Sequence, residues 1–207
     1  MAFLSVLVFL VAASPKSVQL TRLEIREQYS PCRIEIDYPE IVHATLFNEA
    51  VQQIIQPRLK NIREVAPKCP GYLKATYKAV TLKSGVVSVL FEFESDCHNG
   101  IHPPPGDLVS INYDAHTNHV LTLSDLFRPG TNYLARLSEA TIAALKQQGV
   151  LVHREGTFPL KDNFKVFTLT DTALVLHFPT YQVSDYASGP HTVVIPFEQL
   201  APLLNRR

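Results

Sequence analysis

The stretch from Ala173 to Ile195 leaves this chain few ways to fold. ALVLHF (Ala173 to Phe178) is a short, almost wholly apolar run, and TVVI (Thr192 to Ile195) is a second. Between them stand Pro179, Tyr181, Asp185 and Tyr186, followed by Ala187, Ser188, Gly189 and Pro190. Short apolar runs bounded by Gly and Pro read as strands. Gly189 can take positive φ and Pro190 fixes its own, so the chain turns there. The pattern predicts two core strands joined by a wide connection lined with aromatic side chains. Connections held on a rigid scaffold are where binding concentrates. Tyr181, Asp185 and Tyr186 are therefore the leading binding candidates, since an aromatic ring with a polar handle suits both carbohydrate and protein surfaces. The competing reading has both tyrosines packed inward, clamping the loop.

Upstream, Ser17 to Glu27 alternates loosely and reads as a first strand, and Arg33 to Tyr38 alternates cleanly. Phe47, Val51, Ile54, Ile55, Leu59 and Ile62 recur at spacings of three and four, which makes one stripe of an amphipathic helix. Pro57 lies inside it and is expected to kink or divide it, because it lacks the N–H the helix needs. Tyr72 to Leu82 and Val86 to Ser95 predict a hairpin turning at Lys83-Ser84-Gly85, with Val87, Val89, Phe91 and Phe93 on one face. Leu108 to Tyr113 and His119 to Leu123 predict a second hairpin. Ser124 with Asp125 is expected to cap a short helical turn. Tyr133, Leu134, Leu137, Thr141, Ala144 and Leu145 predict a second amphipathic helix, stopped by Gly149. Phe164 to Leu169 with Ala173 to Phe178 form a third hairpin, and Pro196 opens a last short helix. The fold class is α+β: antiparallel sheets and hairpins with two main amphipathic helices packed on them.

Nineteen basic residues balance nineteen acidic ones in 207, without a basic run, so neither nucleic acid nor an anionic membrane surface is expected as partner. Hydrophobic residues make up 46%, enough for a full core. Ala2 to Ala13 (AFLSVLVFLVAA) is a continuous apolar run, shorter than the roughly 20 residues a membrane helix needs. It has the length and small-residue end of a signal peptide, with cleavage expected at Ala13/Ser14, although only the terminal amine supplies positive charge before it. The competing reading is a hydrophobic first strand. With the run removed, no transmembrane segment is expected, and the chain is read as exported, periplasmic or secreted. An exported chain with three cysteines, Cys32, Cys69 and Cys97, fits one disulfide and one free thiol. A hairpin closed around Lys83-Ser84 sets Cys69 nearly opposite Cys97. A Cys69–Cys97 bridge would contribute roughly 3 kcal/mol by loop-closure entropy. The alternative is three reduced cysteines serving as small apolar residues.

No nucleophile elbow, Walker loop, dinucleotide fingerprint or zincin motif is present. Asp96, His98 and His102 form the strongest chemical constellation, since a carboxylate with two imidazoles can bind zinc. Pro103 to Pro105 place it in a loop, where one histidine bonding backbone and one in solvent is the simpler account. A metal-dependent envelope hydrolase using this loop is the alternative function; the preferred reading has no enzyme activity, metal or cofactor. His116 and His119 fall on a hairpin tip and read as solvated. His177 reads as a satisfied core or edge histidine. Glu92 and Glu94 alternate with Phe91 and Phe93 as the solvent face of a strand does.

TLSDLF (Thr122 to Phe127), the helix after it, DNFKVFTLTDTALVLHF (Asp162 to Phe178) and YQVSDYASGPHTVVIPFEQL (Tyr181 to Leu200) together resemble the extracytoplasmic domain of RsiV-type anti-sigma factors. A related domain accompanies the catalytic domain of some peptidoglycan deacetylases. Tyr181, Tyr186, Ala187, Gly189, Pro190, Ile195 and Pro196 match the family pattern, and Asn99-Gly100-Ile101-His102 is similar to its glycine-rich loop ending in histidine. DYPEI (Asp37 to Ile41) resembles its N-terminal half. The expected division is a signal peptide over 1–13, an N-terminal α+β half over 14–115 and, from the resemblance, an RsiV-like C-terminal half over 116–207, the two halves forming one compact unit. The resemblance also implies an envelope-facing binding domain without its own active site. Its partner would be a lysozyme-like extracellular protein or a peptidoglycan glycan, met by Tyr181, Asp185 and Tyr186 with His102 beside them. Neither the anti-sigma segment nor the deacetylase domain of those proteins is expected in this chain.

Overall fold

A computed structural model describes residues 18–29, 32–65, 71–96 and 107–205. Six strands form one sheet in chain order: β1 (Leu20–Tyr29), β2 (Cys32–Ile41), β3 (Gly71–Thr81), β4 (Val86–Asp96), β5 (Asp107–Asp114) and β6 (His119–Val120). Neighbours are antiparallel except β2 and β3, which run parallel. The exception follows from the crossover helix α1 (Thr45–Val65), because parallel strands need a long connection between them. Phe47, Val51, Ile55, Leu59 and Ile62 of α1 are buried against Ile34, Ile36, Leu73, Ala75, Val87, Val89 and Phe91. The predicted stripe is thus the observed one.

Pro57 does not divide the helix: α1 is one element from Thr45 to Val65. Pro57 and Gln53, whose carbonyl loses its usual donor, are both exposed, so water can take the missing partner's place. The first hairpin also differs in register. Thr81 pairs with Val87 and Tyr72 with Asp96, one residue from the expected alignment. The cause is a longer turn, in which Gly85 N–H donates to Leu82 O and Leu82 N–H to Val86 O. Cys69 and Cys97, the proposed disulfide, lie outside the described residues. Cys32 is a buried free thiol at the start of β2.

A second, three-stranded sheet holds β7 (Phe167–Leu169), β8 (Ala173–Phe178) and β9 (His191–Pro196), all antiparallel. β7 is shorter than the expected Phe164 to Leu169 because Lys161–Phe164 wind into a 3-10 turn that buries Phe164. Helices α2 (Tyr133–Gln147) and α3 (Phe197–Leu200) flank this sheet. Leu137, Leu145, Leu174, Leu176, Phe178, Val193, Ile195 and Leu200 make its core. The short turn before α2, Leu123–Leu126, is capped by Thr122 rather than Ser124. Asp125 Oδ2 accepts from both the N–H and the hydroxyl of Thr122 at 2.7 Å, an exchange Ser124, two positions further on, is too late to make.

The two cores meet at β4. Its residues Val87, Val89, Phe91 and Phe93 face α1, while Val86 packs in the second core and Ser88 points toward β7. The outward-facing backbone of β7 finds no seventh strand. It is met by side chains: Ser88 Oγ accepts from Leu169 N–H at 2.8 Å, Ser110 Oγ accepts from Phe167 N–H at 2.9 Å, and Asn112 Nδ2 donates to Phe167 O at 2.9 Å. Ser88 donates to Asn112 Oδ1, closing the network, and both residues are essentially buried. A buried group left unsatisfied costs about 1–3 kcal/mol. Asn112→Ala strands the Phe167 carbonyl and the Ser88 hydroxyl, so it should lower the unfolding free energy by about 3 kcal/mol. The expected readout is an earlier urea midpoint at unchanged slope. A loss below about 1 kcal/mol would mean that water replaces the lost partners.

Candidate functional site

The connection from Phe178 to His191 is built as a pinned loop with its aromatic rings outside. Pro179 to Gln182 closes as a turn, with Gln182 N–H donating to Pro179 O at 3.1 Å. Tyr181 occupies the third position of this turn with φ of +73°, where glycine is the usual residue. Gln182 and Val183 then dive under the surface. Gln182 Nε2 donates to Gly156 O at 3.1 Å and to Asn163 O at 2.8 Å, and His153 N–H donates to Val183 O at 2.8 Å. Val183 is fully buried. The chain rises again through Asp185, makes a short turn at Tyr186–Ser188, and leaves through Gly189 at φ +67°.

The two tyrosines therefore stand outside rather than clamping the loop from within. Tyr181 is 58% exposed and Tyr186 40%, and their ring centroids lie 5.2 Å apart at 35°. The pair forms a tilted aromatic platform, the two rings packed against each other. Asp185 flanks it, with Oδ1 3.2 Å from His153 Nε2. Beneath, Ser184 Oγ lies 2.7 Å from His191 Nε2. A serine so close to an imidazole has the spacing of a nucleophile and its base. Ser184, however, is 2% exposed and sits under the loop, and no carboxylate bonds the His191 ring among the described residues. The pair fastens the loop to the start of β9.

The structure thus gathers three of the four predicted binding residues, Tyr181, Asp185 and Tyr186. His102, with His98, lies outside the described residues; Asp96 is the last residue of β4. His153, Gln182, Ser184 and His191 were not legible as site residues, because they act through loop-to-loop contacts that leave no periodic trace. Gly156 carries the one faint signal. A Cβ there would stand 1.8 Å from Gln182 O, so only glycine lets the 154–157 turn meet the loop. His116 sits on the β5–β6 turn and His119 opens β6 opposite Asp114; both are exposed, as expected. The His116 ring lies against Gly85, and His119 is 3.6 Å from Asp125 across an open hollow of about 850 Å3.

Residues 124–198 match the model of a family described as a protein of unknown function, DUF3298. That stretch holds α2, all of the second sheet and the tyrosine loop. The chain is 27% identical over 168 residues to the peptidoglycan-N-acetylmuramic acid deacetylase PdaC of Bacillus subtilis (strain 168), covering 78% of this chain and 35% of that protein. It spans about a third of that relative's length. Two crystal structures share the fold: a DUF3298 family protein from Pseudomonas aeruginosa PAO1 (TM-score 0.70, 15% identity, 92% of this chain and 95% of that one) and a DUF3298 member from Bacteroides fragilis NCTC 9343 (TM-score 0.62, 14% identity, 92% and 94%).

His177, beside the loop on β8, is held between two hydroxyls. Thr168 Oγ1 is 2.8 Å from Nε2 and Thr192 Oγ1 3.4 Å from Nδ1. Burial, helped by Lys78 and opposed by Glu92, lowers its pKa to about 4. An unfolded histidine titrates near 6.5. Between that pH and about 4 the unfolded chain takes up a proton that the folded one refuses. Stability should therefore fall as pH drops through this window. With solvent screening the contribution is on the order of 2 kcal/mol. His177→Gln should remove that part of the slope, read by comparing urea midpoints of the two proteins at pH 7 and pH 4.5.

Proposed function

We propose that this chain is an exported, non-enzymatic binding domain of the cell envelope, and that its tyrosine platform holds peptidoglycan glycan. The observation that carries the reading is the pair of exposed, mutually packed rings on a loop pinned from below. Such a surface offers sugar C–H faces an exposed aromatic partner, with Asp185 and His153 at its margin for hydroxyl groups. Envelope context is supported by the similarity to a relative named for deacetylating a peptidoglycan sugar. The deacetylation itself belongs to that whole protein, of which this chain spans about a third. Export is supported by the apolar run over 2–13, and no helix among the described residues is long and apolar enough to cross a membrane.

A second reading keeps the platform and changes the ligand to a lysozyme-like protein, the partner implied by the resemblance to RsiV-type domains. It draws on a specific observation. Leu151, Phe158 and Leu160 are all exposed on the segment that packs against the loop, at 81%, 45% and 56%. Exposed apolar side chains beside aromatic ones are what protein interfaces bury.

Titration calorimetry of the purified chain with soluble peptidoglycan fragments and, separately, with a c-type lysozyme tests both. Saturable binding to the glycan that drops roughly 30-fold, about 2 kcal/mol, in Tyr186→Ala is the expected result. Binding to lysozyme alone would select the second reading; binding to neither would overturn both. Tyr181→Gly separates binding from folding. Glycine accepts φ of +73° without strain, so thermal stability should hold within about 1 kcal/mol while binding is lost.

A further inference from the structure

A recess of about 330 Å3 opens between the outer face of β3–β5 and the second sheet. Thr180 and Pro190, at the two feet of the tyrosine loop, form part of its wall, so recess and platform are continuous. Its floor is apolar, with buried Leu90 and half-buried Leu108 on that face. Its rim is polar, with Thr192 on β9 and three carboxylates, Glu92, Glu94 and Asp107, against the single ammonium of Lys78. Lys78 Nζ is 2.7 Å from Glu92 Oε1, and Asp107 is paired with Arg58, so two of the three carboxylates are offset. The remaining balance is mildly negative. The His177 imidazole at this wall is held neutral near pH 7.

An apolar floor under a rim of hydroxyl and carboxylate acceptors matches a pyranose, whose C–H face is apolar and whose edge is a ring of O–H donors. An acidic rim disfavours an anionic ligand. A sugar carrying a lactyl carboxylate, as muramic acid does, is therefore repelled from the recess, while an uncharged N-acetylhexosamine is accepted.

We propose that this recess is a second sugar subsite, taking the uncharged ring next to the one held on Tyr181 and Tyr186. The proposal rests on the glycan reading given above and adds a direction and a sequence preference to it. A chain crossing from platform to recess places its rings in a fixed order, with the uncharged one inside.

The test is an NMR and calorimetric titration with uncharged N-acetylglucosamine oligomers of one, two and four rings. Affinity should rise at least tenfold, about 1.4 kcal/mol, from the single ring to the dimer. Thr192→Tyr places a bulky ring over the recess from an exposed strand position and should abolish that gain. Its thermal transition reports whether it folds. Glu94→Gln, on the exposed rim, is the second variant and should cut the dimer gain several-fold. A gain that survives in both variants, or single-ring binding with no gain at all, would overturn the subsite and leave the platform standing. Absence of binding to every oligomer, with lysozyme still bound, would overturn the glycan reading and the subsite together.

Discussion

The architecture depends on the buried exchange between Ser88, Asn112 and the outer edge of β7. A three-stranded sheet of such short strands has an exposed edge on each side, and a lone edge is both unstable and sticky. Adding β7 to the larger sheet as another strand would solve this, but would put β8 and β9 in line with β3–β5 and remove the recess between them. Side-chain acceptors and one side-chain donor solve it differently. Ser88, Ser110 and Asn112 meet the backbone groups of β7 while letting the second sheet stand against the face of the first. β4 must then be covered on both faces, which is why Val86 and Ser88 are as buried as Val87 and Val89.

That joint is also what makes the tyrosine loop stiff. β8 is held on one side by β7, and through it by the first sheet. β9 is paired to β8 from Ala173–Pro196 to Phe178–His191. The feet of the loop are thus fixed before any loop contact is counted. Gln182, Val183 and Ser184 add bonds from below to Gly156, Asn163, His153 and His191. A loop ordered in this way loses little conformational freedom when something binds to it, and that freedom is one of the larger costs of association.

Elements with a strong hydrophobic period were legible in the sequence. The α1 stripe, the Val87–Phe93 face, α2 and the β8–loop–β9 segment could be placed from spacing and from Gly-Pro punctuation alone. What was illegible depended on contacts between parts distant in the chain. The parallel β2–β3 joint comes from where α1 lets the chain return. The one-residue shift of the first hairpin comes from a turn one residue longer than the shortest that the Lys83-Ser84-Gly85 pattern allows. Pro57 looked like a break because it removes one helical N–H, yet α1 continues through it on an exposed side of the helix where water can replace the lost donor. At the site, Tyr181, Asp185 and Tyr186 were visible because they stand in a connection marked off by two apolar runs and by Gly189-Pro190. Ser88 and Asn112 were invisible because a serine on a strand and an asparagine on another carry no pairing signal until the sheets are stacked.

Tyr181 breaks two local rules at once. It places a bulky side chain at a turn position suited to glycine, and it exposes most of an aromatic ring to solvent. A residue kept for stability would break neither. Burial would reward the ring with apolar contact, and glycine would relieve the backbone. Holding a non-glycine residue in this conformation costs on the order of 1 kcal/mol or more. The packing partner it gains, Tyr186, is itself exposed, so the contact between the two rings recovers only part of that cost. Local preference and burial both argue against Tyr181 here, and the surrounding loop is nevertheless built to hold it in place, which is what the proposed binding role of the ring requires.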